Sequence, residues 1–319
     1  MHKPLIILSP PRSFSSVVST IIGEHPQLYG FPELLLFSGE TIEEVIYNEQ
    51  KQSGQKSGPA GLLRTLAQEH DGVQTTETIF RAINWLNERK HWSTKKVFDY
   101  LLDLVSPRIG VEKSPLTISK TQYMERAYQM YPQAFFLHLI RHPLSTRKSV
   151  HELRDSQEWQ KEKKLSIFKY SVDYLLVWLL RHKSILEFTD SLPVGQTMRM
   201  RGEDLLSDPD IYLPQIAQWM GLRTDSEAIE AMKYPENSPY ACVPPPLIFG
   251  GNDPKFMRNP QLRLGKVKEL SLKSFLERES WEWITEDIRK VFQEHNFNLA
   301  STQELTTEIT KLAHLMGYQ

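Results

Sequence analysis

The run from Ala134 to Ile140 constrains this chain most. It is near-continuously apolar, as a parallel strand covered on both faces must be, and too short for a typical helix. It leads directly into Arg141-His142-Pro143. A second run, Pro4 to Leu8, reads the same way and ends at Ser9-Pro10-Pro11-Arg12-Ser13. Two adjacent prolines remove backbone donors and stop the strand. Hydroxyl residues suited to capping then lead into Val17, Val18, Ile21 and Ile22, one apolar helical face that ends at His25-Pro26.

Strand, tight loop and helix N-terminus together form an anion site, because free N–H groups and the positive end of the helix dipole face the loop. Arg12 adds a fork of donors for phosphate or sulfate oxygens, and Ser13, Ser15 and Ser16 add hydroxyls. The triphosphate-binding pattern G-x-x-x-x-G-K-[ST] is absent, since Ser9 to Ser16 holds neither glycine nor lysine. A plain strand-turn-helix with a surface arginine is the alternative reading of this stretch alone.

At 319 residues the chain can build one large α/β domain or two small ones. A net charge of −1 supplies no global basic field for nucleic acid. The single Cys242 excludes a disulfide framework and fits a reducing compartment. No signal-peptide pattern stands at the start. The most apolar later stretch, Leu175 to Leu180, is too short to span a bilayer. A soluble, cytoplasmic protein with no membrane contact is expected.

In chain order, Pro32-Glu33 precedes the apolar run Leu34 to Phe37. Desolvation there would raise the Glu33 pKa and suit it to proton transfer, whereas a helix-start glutamate is the structural alternative. Glu40 to Glu49 reads as an amphipathic helix, Lys51 to Gly61 as a surface loop, and Leu62 to Leu104 as helical. This block makes a helical insertion between the first and second strands. Gly110-Val111-Glu112-Lys113-Ser114-Pro115 places two charged residues at a strand's carboxyl end, where open α/β sheets bind ligands. Lys113 could neutralise a transferring group, or Glu112 and Lys113 could form an ordinary surface ion pair. Lys120 to Tyr131 forms a helix stopped by Pro132.

Arg141 at a strand end and Ser149 two helical turns later can grip one phosphate. His138 reads as a core histidine and His142 as a maker of local turn contacts. Phe168 to Phe188 reads as a helix and Gln196 to Arg201 as a strand. Glu236 to Pro260 is dense in Pro, Gly and Asn, as lids and binding loops are.

These residues resemble a family. Pro11-Arg12-Ser13 with Phe14, Ser15 and Ser16 is similar to the 5′-phosphosulfate loop of sulfotransferases that use 3′-phosphoadenosine-5′-phosphosulfate (PAPS). Arg141-His142-Pro143 with Ser149 resembles their 3′-phosphate motif. Arg201-Gly202-Glu203-Asp204-Leu205 resembles an R-Y-E-D-L segment, and Gly265-Lys266 resembles the late loop that covers the cofactor. His25-Pro26 with Pro32-Glu33 is similar to the tyrosylprotein-type branch, whose corresponding glutamate is the general base. Glu112-Lys113-Ser114-Pro115 resembles the segment whose lysine stabilises the transferring sulfonate. The block around Gly61-Leu62-Leu63-Arg64 resembles sulfotransferase domains of alkene-forming polyketide synthases, which sulfate a carrier-bound β-hydroxyacyl chain.

The resemblance implies a single α/β domain over 1–319 with a P-loop-like fold, its central parallel sheet flanked by helices. It implies a helical insertion over the acceptor site (about 40–108) and a mobile cofactor-covering loop (about 236–266). It implies PAPS as co-substrate, PAP as product, no metal, and an alcohol acceptor that could be bound to an acyl carrier protein. Glu33 would be the base, with Glu112 in reserve, and Arg12 and Lys113 would neutralise developing charge. Arg12, Ser13, Phe14, Ser15, Ser16, Arg141, Ser149, Gly265 and Lys266 would bind the cofactor. A phosphoryl transferase on the same sheet and a non-catalytic nucleotide-binding protein are the alternatives. Two departures stand out. Phe14 replaces a glycine, so no left-handed residue is expected there. Gly202 replaces a tyrosine, so what that ring supports must be absent or come from elsewhere.

Overall fold

The computed structural model describes residues 2–154, 173–263, 270–277, 293 and 302–318. Five parallel strands form one sheet in the order β2-β3-β1-β4-β5: β1 (Leu5–Leu8), β2 (Leu28–Gly30), β3 (Ile109–Glu112), β4 (Phe135–Ile140) and β5 (Thr197–Arg201). All four β1 residues are buried, because helices cover both faces. The apolar runs at the first and fourth strands therefore sit at the sheet centre, as their composition requires.

The chain leaves β1 towards β2, returns to β3, and crosses to β4 on the other side of β1. That reversal opens a crevice at the carboxyl ends of β1, β3 and β4. Helix α1 (Ser15–Gly23) starts at the end of β1. Helices α2 (Ile42–Ser53), α3 (Ala60–Asp71), α4 (Thr76–Glu88) and α5 (Thr94–Val105) lie between β2 and β3. The expected helical block thus follows a strand that sequence pattern missed, since three residues carry no readable period. Residues 31–35 are not helical, so Glu33 is no helix-start glutamate.

Beyond β3 come α6 (Thr121–Met130), α7 (Pro143–Arg154) and α8 (Tyr174–Asp190). The first residues of the expected 168–188 helix lie outside the described residues. After β5 follow α9 (Gly202–Ser207), α10 (Pro209–Trp219), α11 (Ser226–Ala231), α12 (Pro254–Arg258), α13 (Leu272–Leu276) and α14 (Thr302–Leu315). The late Pro- and Gly-rich stretch is packed rather than peripheral. Tyr240 and Ile248 join the core beside Tyr29, Leu62 and Leu66. Among the described residues, no helix is long and apolar enough to cross a membrane.

Candidate functional site

The loop after β1 turns through two left-handed residues, Arg12 (φ 67°) and Phe14 (φ 64°). The expectation that position 14 would avoid this conformation is therefore corrected. The backbone must reverse within a few residues to place α1 against the sheet. A non-glycine residue holds such a φ only where its surroundings over-determine it. No side chain caps α1 and no acid stands in its first turn, so its N-terminal dipole is not offset locally. Ser9 and Ser13 are buried, and their hydroxyls have no hydrogen-bond partner among the described residues. Buried polar atoms without partners are rare and mark ligand sites or strain.

Lys113 follows β3 directly and is fully buried. Its ammonium donates to Glu33 Oε1 (2.7 Å), Asn252 Oδ1 (3.1 Å) and Ser16 Oγ (3.2 Å). An unpaired buried charge would be strongly unfavourable, and this three-way satisfaction is what permits it. Glu33, turned towards this ammonium, keeps 26% of its side chain exposed. Its backbone is locked by the Glu33 N–H to the Gly251 carbonyl (2.8 Å). A Cβ on Gly61 would lie 2.1 Å from the Glu33 carbonyl oxygen, and a Cβ on Gly251 would lie 3.1 Å from Gly61. The three backbones meet so closely that position 61 has no room for a side chain, and Gly251 is tight and left-handed (φ 84°) as well.

Glu112 behaves differently from its expectation. An ordinary surface ion pair with Lys113 would lower its pKa. Burial dominates instead and pushes the carboxyl up to about 7, against the hydrogen bond from Ser114 and the Lys113 charge. Neither residue is on the surface, and the Lys113 ammonium pairs with Glu33. The Ser114 hydroxyl donates to Glu112 and accepts from the Leu35 N–H (3.0 Å), so Glu112 braces the segment carrying Glu33.

The Arg12 guanidinium donates from Nε to Ser149 Oγ (3.1 Å) and pairs with the Asp253 carboxylate. The Asp253 N–H donates to Ser16 Oγ (2.9 Å). Arg141 Nη1 donates to the Arg12 carbonyl (2.6 Å), and the Arg141 carbonyl accepts from Trp178 Nε1 (2.9 Å). Arg141 Nε is buried with no hydrogen-bond partner among the described residues. Burial lowers its pKa to about 10. Tyr174 Oη donates to the Pro11 carbonyl (2.8 Å), tying α8 to the loop.

Arg12, Ser16, Glu33, Lys113, Arg141 and Ser149 thus belong to one hydrogen-bonded cluster at the loop and the β1, β3 and β4 ends, with the Ser13 hydroxyl buried in the same loop and unbonded among the described residues. Ser15 sits in the first turn of α1, buried. Gly265 and Lys266 lie outside the described residues. Asn252 and Asp253 were missed. Only the density of turn residues around them hinted at a binding loop, since Asp253 meets Ser16 across 237 residues of sequence.

His138 is a core histidine, its Nε2 lying 2.8 Å from His182 Nδ1. His142 is also fully buried, and its N–H donates to Glu203 Oε1 (2.8 Å). That tie reaches beyond a local turn. Among the described residues no group of three or more His, Cys, Asp or Glu is arranged to hold a metal ion.

Comparison with known proteins matches residues 4–226 to the sulfotransferase family. No curated protein matches the sequence. The fold is similar to the sulfotransferase domain of the Synechococcus PCC 7002 olefin synthase, with a TM-score of 0.65 and 22% identity. That match covers 100% of this chain and 97% of the other. It is also similar to the sulfotransferase domain from the curacin biosynthetic pathway, with a TM-score of 0.65 and 19% identity. There the match covers 94% of this chain and 99% of the other.

Proposed function

This chain belongs to the sulfotransferase family, and we propose that it moves a sulfonyl group from PAPS to an alcohol. The observation that carries the proposal is the Lys113 ammonium, buried and shared between Glu33 and the loop residue Ser16. One group thereby joins an anion loop to a carboxylate positioned to accept a proton.

The residues fit the donor. The uncapped α1 N-terminus, Arg12 and the Ser13 hydroxyl, without a partner among the described residues, suit a 5′-phosphosulfate. Arg141, with a spare buried donor, and Ser149 suit a 3′-phosphate. In the reaction the sulfur–oxygen bond to the 5′-phosphate breaks, a bond from sulfur to the acceptor oxygen forms, and PAP leaves. Arg12 and Lys113 offset the charge that develops on the sulfonate and phosphate oxygens, and Glu33 takes the hydroxyl proton. Glu112, braced against Ser114 on the buried side, holds the Glu33 segment.

The acceptor proposed is the hydroxyl of a small molecule or of a β-hydroxyacyl chain on a carrier protein. The likeness to sulfotransferase domains of an olefin synthase and of the curacin pathway supports the carrier-bound form. Helices α2 to α5 lie on the Glu33 side and would shape the acceptor approach. Calorimetry with PAP, ATP and NAD in parallel tests the donor. A specific response to PAP is expected, and a response to ATP with none to PAP overturns the proposal in favour of a phosphoryl transferase.

A further inference from the structure

Phe14 and Gly202 share one space. Gly202 opens α9 directly after β5 and is buried. A Cβ built on it would lie 2.7 Å from Phe14 Cδ2 and 3.5 Å from Phe14 Cβ. Real Cβ contacts do not come that close, so the Phe14 ring lies where a side chain at 202 would begin. The Arg141 guanidinium carbon lies 4.0 Å from the centroid of the same ring. Phe14 reaches this position from a left-handed backbone, a conformation unfavourable for any residue with a Cβ. The ring is thus held by two neighbours, the glycine that leaves it room and the cation that covers it.

Arg141 needs such support. Its guanidinium makes one hydrogen bond to the loop, at the Arg12 carbonyl, and no ion pair among the described residues. A planar fork of donors is selective only when its plane is set. An aromatic ring beneath the guanidinium limits how that plane can tilt, and Nε, buried with no partner among the described residues, stays available as a donor.

We infer that Phe14 is a positioning residue for Arg141, and that glycine at 202 is the condition for it. The inference rests on the assignment of Arg141 to the 3′-phosphate made above. It joins the two departures in the sequence into one exchange: the ring absent at position 202 is delivered from position 14, on the anion loop itself.

Calorimetric binding of PAP, and of adenosine 5′-phosphosulfate, which lacks the 3′-phosphate, tests it on the full chain. The variants are Phe14→Leu, Phe14→Gly, Gly202→Ala and the Phe14→Gly/Gly202→Ala pair. Leucine keeps apolar bulk but has no ring face. Phe14→Leu is expected to weaken PAP by about 3- to 30-fold, the scale of a partly desolvated cation–π contact. Its binding of adenosine 5′-phosphosulfate should fall by a clearly smaller factor than its binding of PAP. Gly202→Ala should weaken PAP in the wild type and add nothing in the Phe14→Gly background.

Equal loss of both ligands in Phe14→Leu would reduce the ring to packing and overturn the inference, as would unchanged PAP binding. A wild type that binds no PAP would instead remove the 3′-phosphate reading, and the positioning role with it. The interlock is then decided by thermal midpoints. Gly202→Ala should lower the midpoint only where Phe14 is present, and an equal drop in both backgrounds overturns it.

Discussion

The Nζ of Lys113 lies 2.7 Å from Oε1 of Glu33, joining positions 80 residues apart. The ammonium is wholly buried while the carboxylate is partly open to the crevice. One oxygen of Glu33 is thereby engaged by the buried ammonium.

Glu33→Gln keeps an acceptor for the buried ammonium and removes the base. Turnover is expected to fall about 10²–10⁴-fold, the usual scale for one general base, with PAP affinity nearly unchanged. Glu112→Gln should lower kcat less. Steady-state kinetics on any accepted alcohol, beside calorimetry, checks both. Reversed magnitudes would move the base to Glu112.

Arg141→Ala should weaken PAP binding by about 1.5–3 kcal/mol, the loss of one charge-assisted contact. Circular dichroism controls for folding, since Arg141 also bonds the loop carbonyl of Arg12. A folded variant that binds PAP normally would refute the 3′-phosphate assignment.

Asp253 holds the Arg12 guanidinium, so an anionic ligand at Arg12 must compete with a carboxylate already there. Asp253 also caps α12 through the Lys255 and Phe256 N–H groups, a role asparagine can keep. Asp253→Asn is therefore expected to bind PAP more tightly, by roughly 1 kcal/mol. Weaker binding, read by calorimetry, would show that Asp253 assists the ligand rather than opposing it.

His138 and His182 are buried against each other, and burial holds the His182 pKa near 3, well below its ordinary 6.5. An unfolded chain takes up protons on these rings below pH 6.5 while the folded one does not. Stability from this pair therefore falls as pH drops from 6.5, with His182 alone contributing a loss of roughly 3 kcal/mol at pH 4. Thermal midpoints of His182→Asn, taken relative to the wild type, should show a shallower acid limb. Parallel profiles would mean the pair is protonated or hydrated in the fold.

Glu112 works in the opposite sense. Its folded carboxyl keeps a proton to about pH 7, against an ordinary 4.5. Its contribution is complete below pH 4.5 and is lost as pH rises towards and through 7. Glu112→Gln, which stays neutral, should gain stability relative to the wild type across that window. A constant difference from pH 4 to 8 would show that the carboxyl is charged throughout.

What the sequence determined by itself was everything that short-range pattern encodes. Leu5–Leu8 and Phe135–Ile140 had to be covered strands, because a continuous apolar run of that length has no exposed alternative. Pro10-Pro11 had to end the first of them. Tertiary structure alone decided the rest. It set which carboxylate meets Lys113, the burial that pushes Glu112 up instead of down, the seat of Asp253 on Arg12, and the fit of Phe14 against Gly202. Glu33, Gly61 and Gly251 show why: three backbones from distant stretches converge until position 61 cannot hold a Cβ. Such contacts arise from how the elements pack, and packing is a property of the whole chain that no local window contains.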